Sequence, residues 1–273
     1  MQFTGKAIVV TGAASGIGRA TAEAFAKAGG HVILADLSVE QGERAAQELR
    51  AAGLKADFVQ LDVASDESIA AFAKKAFALG EVHVLANVAG YGKGQPFIEN
   101  TTDFWDKVVD VNLMGVVHGI AAFLPHMLAQ GEGHIVNTAS LAGLQANIGF
   151  SPYVASKYGV VGISEGLAVE LKDRGVGVSV ICPGFVRTRI PTSARNRPGR
   201  YGAATKPSPG SRGAAILAHV AERNEAGIDP DFVAGRAMEA MRDDELYVFT
   251  NPDMRDEVYE RLDAIRAALD RAD

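Results

Sequence analysis

Short runs of β-branched and aliphatic residues alternate along the chain with longer stretches whose apolar positions recur every three or four residues. The runs KAIVVTG, HVILAD, KADFVQLDV, VHVLANVAG, HIVNTAS and GVSVICPG predict strands, and the near-continuous apolar character of the first predicts a buried one. Between them IGRATAEAFAKAG, VEQGERAAQELRAAG, DESIAAFAKKAFALG, FWDKVVDVNLMGVVHGIAAFLPHML and YVASKYGVVGISEGLAVELKDRG carry the helical period. Strands separated by helix-sized crossovers run parallel in one sheet, with helices on both faces. The predicted class is α/β, a doubly wound parallel sheet, and no linker divides the first 185 residues.

The pattern changes after residue 187. RTRIPTSARNRPGRYGAATKPSPGSRG is rich in Pro, Gly, Ser and Arg, the composition of a functional lid. With the two helical patterns that follow, the expected lid spans about 187–245 of a single domain covering 1–273. A short strand, ELYVFT, then leads to a helical extension at about 252–270, where Val258, Leu262, Ile265 and Leu269 share one face.

Composition narrows the function classes. The 273 residues are 48% hydrophobic with a net charge of −6 and no basic stripe, which disfavours nucleic acid as a partner. Cys182 has no cysteine to pair with, as fits a reducing compartment, and the six histidines lack zinc-type spacing, so no metal is expected. The longest apolar stretch, GVVHGIAAFLPHML, is expected to fall short of a bilayer span, and the N-terminus lacks a secretory pattern. A cytoplasmic protein that does not engage membranes is the expectation.

After the first strand comes TGAASGIGRA, placing Gly12, Gly16 and Gly18 in a strand-to-helix turn with Ser15 and Ile17 between them. Glycine lets backbone N–H groups approach a ligand, and a helix N-terminus favours a pyrophosphate. Such turns also occur in methyltransferases and in plain packing. Asp36, at the end of the second strand, favours a dinucleotide, because an acidic residue there accepts from the adenosine ribose. Ser38 and Gln41 form a capping-box pattern, which leaves Asp36 available for that task. Its charge repels a 2′-phosphate and Leu37 beside it supplies no cation, so NAD is expected over NADP; Arg19 is the nearest base. Asp62 and Val63, and then Asn87, Ala89 and Gly90, end the third and fourth strands, where cofactors lie in open α/β sheets.

The segment SPYVASKYG sets two tyrosines around Lys157. Residues four apart share a helix face, so Tyr153 is the partner of Lys157, whereas Tyr158 points elsewhere and is expected to pack. A nearby ammonium would lower a phenol pKa of about 10 and suit Tyr153 to general acid/base work. Ser140 ends the strand HIVNTAS, where its hydroxyl can steady a substrate oxygen. Asn112 is a polar residue inside an apolar helix and needs a partner; the expected one is a water beside Lys157.

Taken together, TGAASGIG, NVAG, Asn112 in a VN pair, Ser140, YVASK and Pro183–Gly184 resemble the short-chain dehydrogenase/reductase family over roughly residues 5–190. The resemblance implies a single-domain Rossmann-type oxidoreductase acting on alcohols or ketones, with Asn112, Ser140, Tyr153 and Lys157 as its tetrad. It also implies that Lys157 holds the nicotinamide ribose and that Val186 and Thr188, after Pro183 and Gly184, meet the nicotinamide amide. A non-catalytic dinucleotide-binding or sensing protein on this fold is the alternative. The C-terminus departs from the family habit of a terminal Gly-Gly turn and loosely resembles dehydrogenases of bulky aryl secondary alcohols. A homodimer or homotetramer is expected, because the added apolar helix face must pack. Expected substrate contacts are Ser140, Leu141, Ala142, Gln145, Asn147, Tyr153, Tyr91 and Phe185, mostly apolar walls that suit a hydrophobic alcohol. Arg187, Arg189, Arg195, Arg197 and Arg200 offer an anion clamp or a paired loop.

Overall fold

Seven strands lie in the order β3-β2-β1-β4-β5-β6-β7, and every pair in the sheet is parallel. They are β1 (Ala7–Thr11), β2 (His31–Asp36), β3 (Ala56–Gln60), β4 (Val82–Asn87), β5 (Gly133–Thr138), β6 (Val176–Cys182) and β7 (Tyr247–Phe249). A computed structural model of the chain describes residues 2–146, 148–190, 201 and 207–272. The strand order reverses between β1 and β4, the place where such sheets open a crevice beyond their carboxyl ends.

Alternate residues of each strand face opposite layers, and both layers are apolar. One layer joins Val9, Leu85, Ile135 and Val180 to helices α3 (Asp66–Ala78), α5 (Gly115–Gln130) and α6 (Ser151–Glu170). The other joins Ile8, Val10, Val84 and Val136 to α1 (Gly16–Lys27), α2 (Val39–Ala51) and α8 (Pro230–Asp243). The span 187–245, expected as a lid, is therefore divided. Helix α8 brings Val233, Ala237, Met238 and Met241 into this second core layer, whereas α7 (Arg212–Glu225) buries only Gly213 and Asn224.

Local chemistry sets the helix ends. Ser65, Thr101 and Ser211 each accept an amide hydrogen bond from the first turn that follows, as does Asp229 ahead of Pro230. Gly131 ends α5 with φ 73°, a left-handed geometry that suits glycine and turns the chain back into β5.

The long helix expected across residues 104–128 is continuous in path but not in winding. Helix α4 (Thr102–Val109) passes through a wide five-residue turn, Asp110–Met114, into α5. The run Thr102–Gln130 contains an 18-residue window with a mean hydropathy of 1.6 and is long and apolar enough to cross a membrane by length and composition. That corrects the expectation from the shorter apolar stretch. Packing against β4, β5 and α3 in a core layer accounts for the apolarity here.

In the C-terminal helix α9 (Arg255–Leu269), only Val258 is buried; Leu262, Ile265 and Leu269 are 42% to 67% exposed. Val258 packs with Met254, Leu141, Leu144 and Phe185, so the extension touches the loops that follow β5 and β6. Tyr158 packs toward the same helix, its ring 5.1 Å from the Arg261 guanidinium carbon.

Candidate active site

A groove runs along the carboxyl ends of β1 to β6. Its floor at the β1–α1 turn is made by glycine. Gly12 and Gly16 take φ values of 68° and 55°. A Cβ on Gly12 would sit 2.8 Å from Ala89 Cα, and one on Gly18 would strike the Gly12 carbonyl oxygen. Thr11 Oγ1 accepts from Val88 N at 3.0 Å and Ala89 N at 3.1 Å, tying the ends of β1 and β4 together. No sequence signal singled out Thr11. Ser15, at the N-cap of α1, makes no side-chain cap bond, which leaves the first-turn amides for a ligand. A turn with these close backbone approaches fits a pyrophosphate.

Asp36 lines the groove with its carboxylate fixed from two sides, by Ala14 N on Oδ2 at 3.0 Å and Ser38 N on Oδ1 at 2.9 Å. The expected Ser38–Gln41 capping box does not form; Ser38 makes no side-chain cap bond. Asp36 itself takes the backbone amide, and its carboxylate oxygens keep lone pairs for ribose hydroxyls. Leu37, Asp62, Val63, Ala89, Gly90, Pro183, Gly184, Val186 and Thr188 also line the groove, with Ser15 and Ile17. Asn87 does not. It is buried and donates to Asn137 Oδ1 at 3.0 Å, and Asn137 in turn donates to Ser164, a polar network inside the core. Asn224 was not anticipated either; from α7 it donates to Thr188 O at 2.7 Å.

Ser140, Tyr153 and Lys157 come together on the groove wall. Strand β5 ends one residue before Ala139 and delivers Ser140, while α6 carries the other two a turn apart. Ala142 N donates to Ser140 Oγ at 3.1 Å, and Ser140 Oγ donates to Pro183 O at 3.3 Å. Lys157 is buried; its Nζ donates to Thr138 O at 2.6 Å and lies 5.6 Å from the Tyr153 ring centre. Burial brings Lys157 down from 10.5 to about 8, with Cys182 opposing the shift. The Cys182 thiol is itself pushed up to about 12, chiefly by burial.

For Tyr153 the protein alone works against the expected acidification. Burial raises the phenol above its ordinary value, and a hydrogen bond with Ser140 only partly offsets it. The Lys157 head, meanwhile, is given to the Thr138 carbonyl.

Asn112 lies below the groove surface. Its Oδ1 accepts from Tyr91 N at 2.7 Å, and its Nδ2 donates to Tyr91 O at 2.9 Å and to Ser156 Oγ at 3.2 Å. The partner that a helix-interior Asn requires is thus the backbone after NVAG, reached from the wide turn, together with Ser156 of α6. Among the expected substrate contacts, Ala142 is buried beneath Ser140 and Phe185 packs with Leu141, Met254 and Val258. Tyr91 lines the groove with Lys107 Nζ 3.6 Å from its ring centre. Arg187 pairs with Asp229 at 2.5 Å and Arg189 donates to Gln41 at 3.5 Å. Asn147, Arg195, Arg197 and Arg200 lie outside the described residues.

A family model for short chain dehydrogenases matches residues 6–199. The chain belongs to the short-chain dehydrogenase family. This dehydrogenase is 32% identical to the C alpha-dehydrogenase of Sphingobium sp. over 97% of its own length and 86% of that protein's. It is 36% identical to the cyclohexanol dehydrogenase of Acinetobacter sp. over 69% and 76% of the two chains. Among solved structures, a short-chain dehydrogenase from Burkholderia phymatum in complex with NAD superposes with a TM-score of 0.94 at 37% identity, covering 98% and 96% of the two chains. The Rossmann-type fold and the oxidoreductase family of this dehydrogenase follow.

Proposed function

We propose that this dehydrogenase exchanges hydride between a nicotinamide dinucleotide, NAD in preference to NADP, and a hydrophobic or aromatic secondary alcohol or its ketone. The observation that carries the reading is the convergence of Ser140, Tyr153 and Lys157 on one wall of a groove that begins at the glycine turn. The chemistry that a bound nicotinamide supplies is hydride exchange with the carbinol carbon. Gly12, Gly16 and Gly18 would hold its pyrophosphate, Asp36 the adenosine ribose, and Val186 and Thr188 the nicotinamide end. The NAD complex of the Burkholderia phymatum relative supports NAD, as does the carboxylate of Asp36. The name of the Acinetobacter relative supports a secondary alcohol.

In this reading Tyr153 passes a proton to or from the substrate oxygen. A phenol is protonated near neutral pH, the form that donates to a carbonyl, and burial shifts Tyr153 further in that direction. Ser140 accepts from Ala142 N and exchanges its long bond to Pro183 O for the substrate oxygen. Lys157, at about 8, can exchange a proton near neutral pH and so recharge Tyr153 one helical turn away. Asn112 fixes the Tyr91 backbone and Ser156 behind them. The exposed apolar residues of α9 support association of copies into a homodimer or homotetramer.

NADH formation from NAD with a panel of aromatic, alicyclic, steroid and polyol alcohols tests the reading. Tyr153→Phe should cut turnover by at least about a hundredfold while keeping NADH affinity. A panel with no oxidised alcohol, or full turnover by Tyr153→Phe, would overturn it and leave dinucleotide sensing as the alternative.

A further inference from the structure

The end of β7 reaches the groove through one buried side chain. Asn251 Oδ1 accepts from Gly184 N at 2.9 Å and from Thr250 Oγ1 at 2.9 Å, and its Nδ2 donates to Phe185 O at 3.5 Å. The approach is close: a Cβ on Gly184 would lie 2.6 Å from Met254 Sδ and 2.9 Å from Asn251 Cγ. The other edge of the same peptide plane, the Pro183 carbonyl, accepts from Leu141 N at 2.9 Å and from Ser140 Oγ at 3.3 Å. In the first turn of α9, Glu257 Oε2 accepts from Gln145 Nε2 at 2.6 Å, so the loop after Ser140 is held by the same C-terminal segment.

We infer that Asn251 is a positioning residue: it fixes the Pro183–Gly184 peptide and thereby both the nicotinamide end of the groove and Ser140. The inference rests on the cofactor reading above. A planar peptide held along both edges cannot tilt, and the backbone that continues from it into Val186 and Thr188 inherits its placement. Removing Asn251 frees one edge and leaves the Gly184 N–H without its partner. The adenosine end, built from β1, β2 and α1, does not share these contacts.

The experiment compares NADH with ADP-ribose, which lacks the nicotinamide, as ligands of the wild type and of Asn251→Ala, Asn251→Asp and Thr250→Val. Asn251→Ala should weaken NADH roughly three- to tenfold, the worth of one hydrogen bond, with ADP-ribose held within about twofold. Asn251→Asp keeps an acceptor for Gly184 N and should restore most of the NADH affinity. Thr250→Val, nearly isosteric, should move NADH in the same direction by less, and it serves if Asn251→Ala does not fold. Where turnover is measured, kcat should fall with the NADH affinity. Equal weakening of both ligands, or no change in either, would overturn the role of Asn251 and leave the cofactor reading intact. A wild type that binds neither ligand would overturn both.

Discussion

Replacing Lys157 by methionine separates what this side chain does for chemistry from what it costs the fold. The ammonium sits in the core with its pKa drawn from 10.5 to about 8, chiefly by burial. At about 1.4 kcal/mol per unit, that shift corresponds to about 3 kcal/mol of destabilisation while the group is charged in both states. The folded pKa is depressed, so the full cost is present below pH 8. It is relieved as pH rises from about 8 to 10.5, where the unfolded chain holds a proton that the folded protein has released. Methionine removes the charge at similar volume but leaves Thr138 O without its donor, a loss of about 1–3 kcal/mol. Near pH 7 the two effects nearly cancel, and the variant should match the wild type within about 2 kcal/mol. The slope decides: wild-type stability relative to the variant should climb by roughly 1.4 kcal/mol per pH unit between about 8 and 10. Urea unfolding followed by the single tryptophan, Trp105, at stepped pH values reads this directly. A difference that stays level through that window would refute the buried, depressed ammonium. The proton-recharging role drawn from it would fall too.

Gly18→Ala should drive α1 away from the Gly12 carbonyl, weakening NADH more than about tenfold by fluorescence titration; unchanged affinity would refute the close approach at that turn. Asn112→Ala removes the two hydrogen bonds that its side chain makes to the Tyr91 backbone and should cost about 1–3 kcal/mol, seen as a thermal midpoint lowered by roughly 3–10 °C. Asp36→Ala combined with Leu37→Arg should move the ratio of kcat/KM toward NADP by at least about tenfold. A parent enzyme already faster with NADP would remove the basis for that expectation.

The parts legible in the sequence were those written in local patterns. Strand and helix periods gave the parallel sheet, and the spacing of Gly12, Gly16 and Gly18 gave the turn at its reversal point, because both depend on residues close in sequence. Tyr153 and Lys157 announced themselves as a four-residue pair for the same reason. The parts that stayed hidden depend on distant partners. Asn87 looked like a strand-end contact and proved to be a core residue, because its side chain is buried and donates to Asn137, which donates in turn to Ser164. Helix α8 sat within a region whose Pro and Gly content suggested a lid, and only its packing on α1 shows it to be core. Asn251 belonged to a turn-like NPD segment with nothing to connect it to Gly184, its partner 67 positions away. The depressed pKa of Lys157 was equally unreadable, since it arises from the depth of the site and not from spacing.

Because all seven strands point the same way, the molecule has two unlike rims. The rim at the strand carboxyl ends carries every groove residue. The opposite rim is a set of short returns, among them Gly53, Gly80 and Gly131, where even an added Cβ would meet nothing within 4 Å. New chain ends, affinity tags or a circular permutation opened at those returns would therefore leave the reactive rim untouched. An engineer can rebuild the scaffold from one side and the specificity from the other.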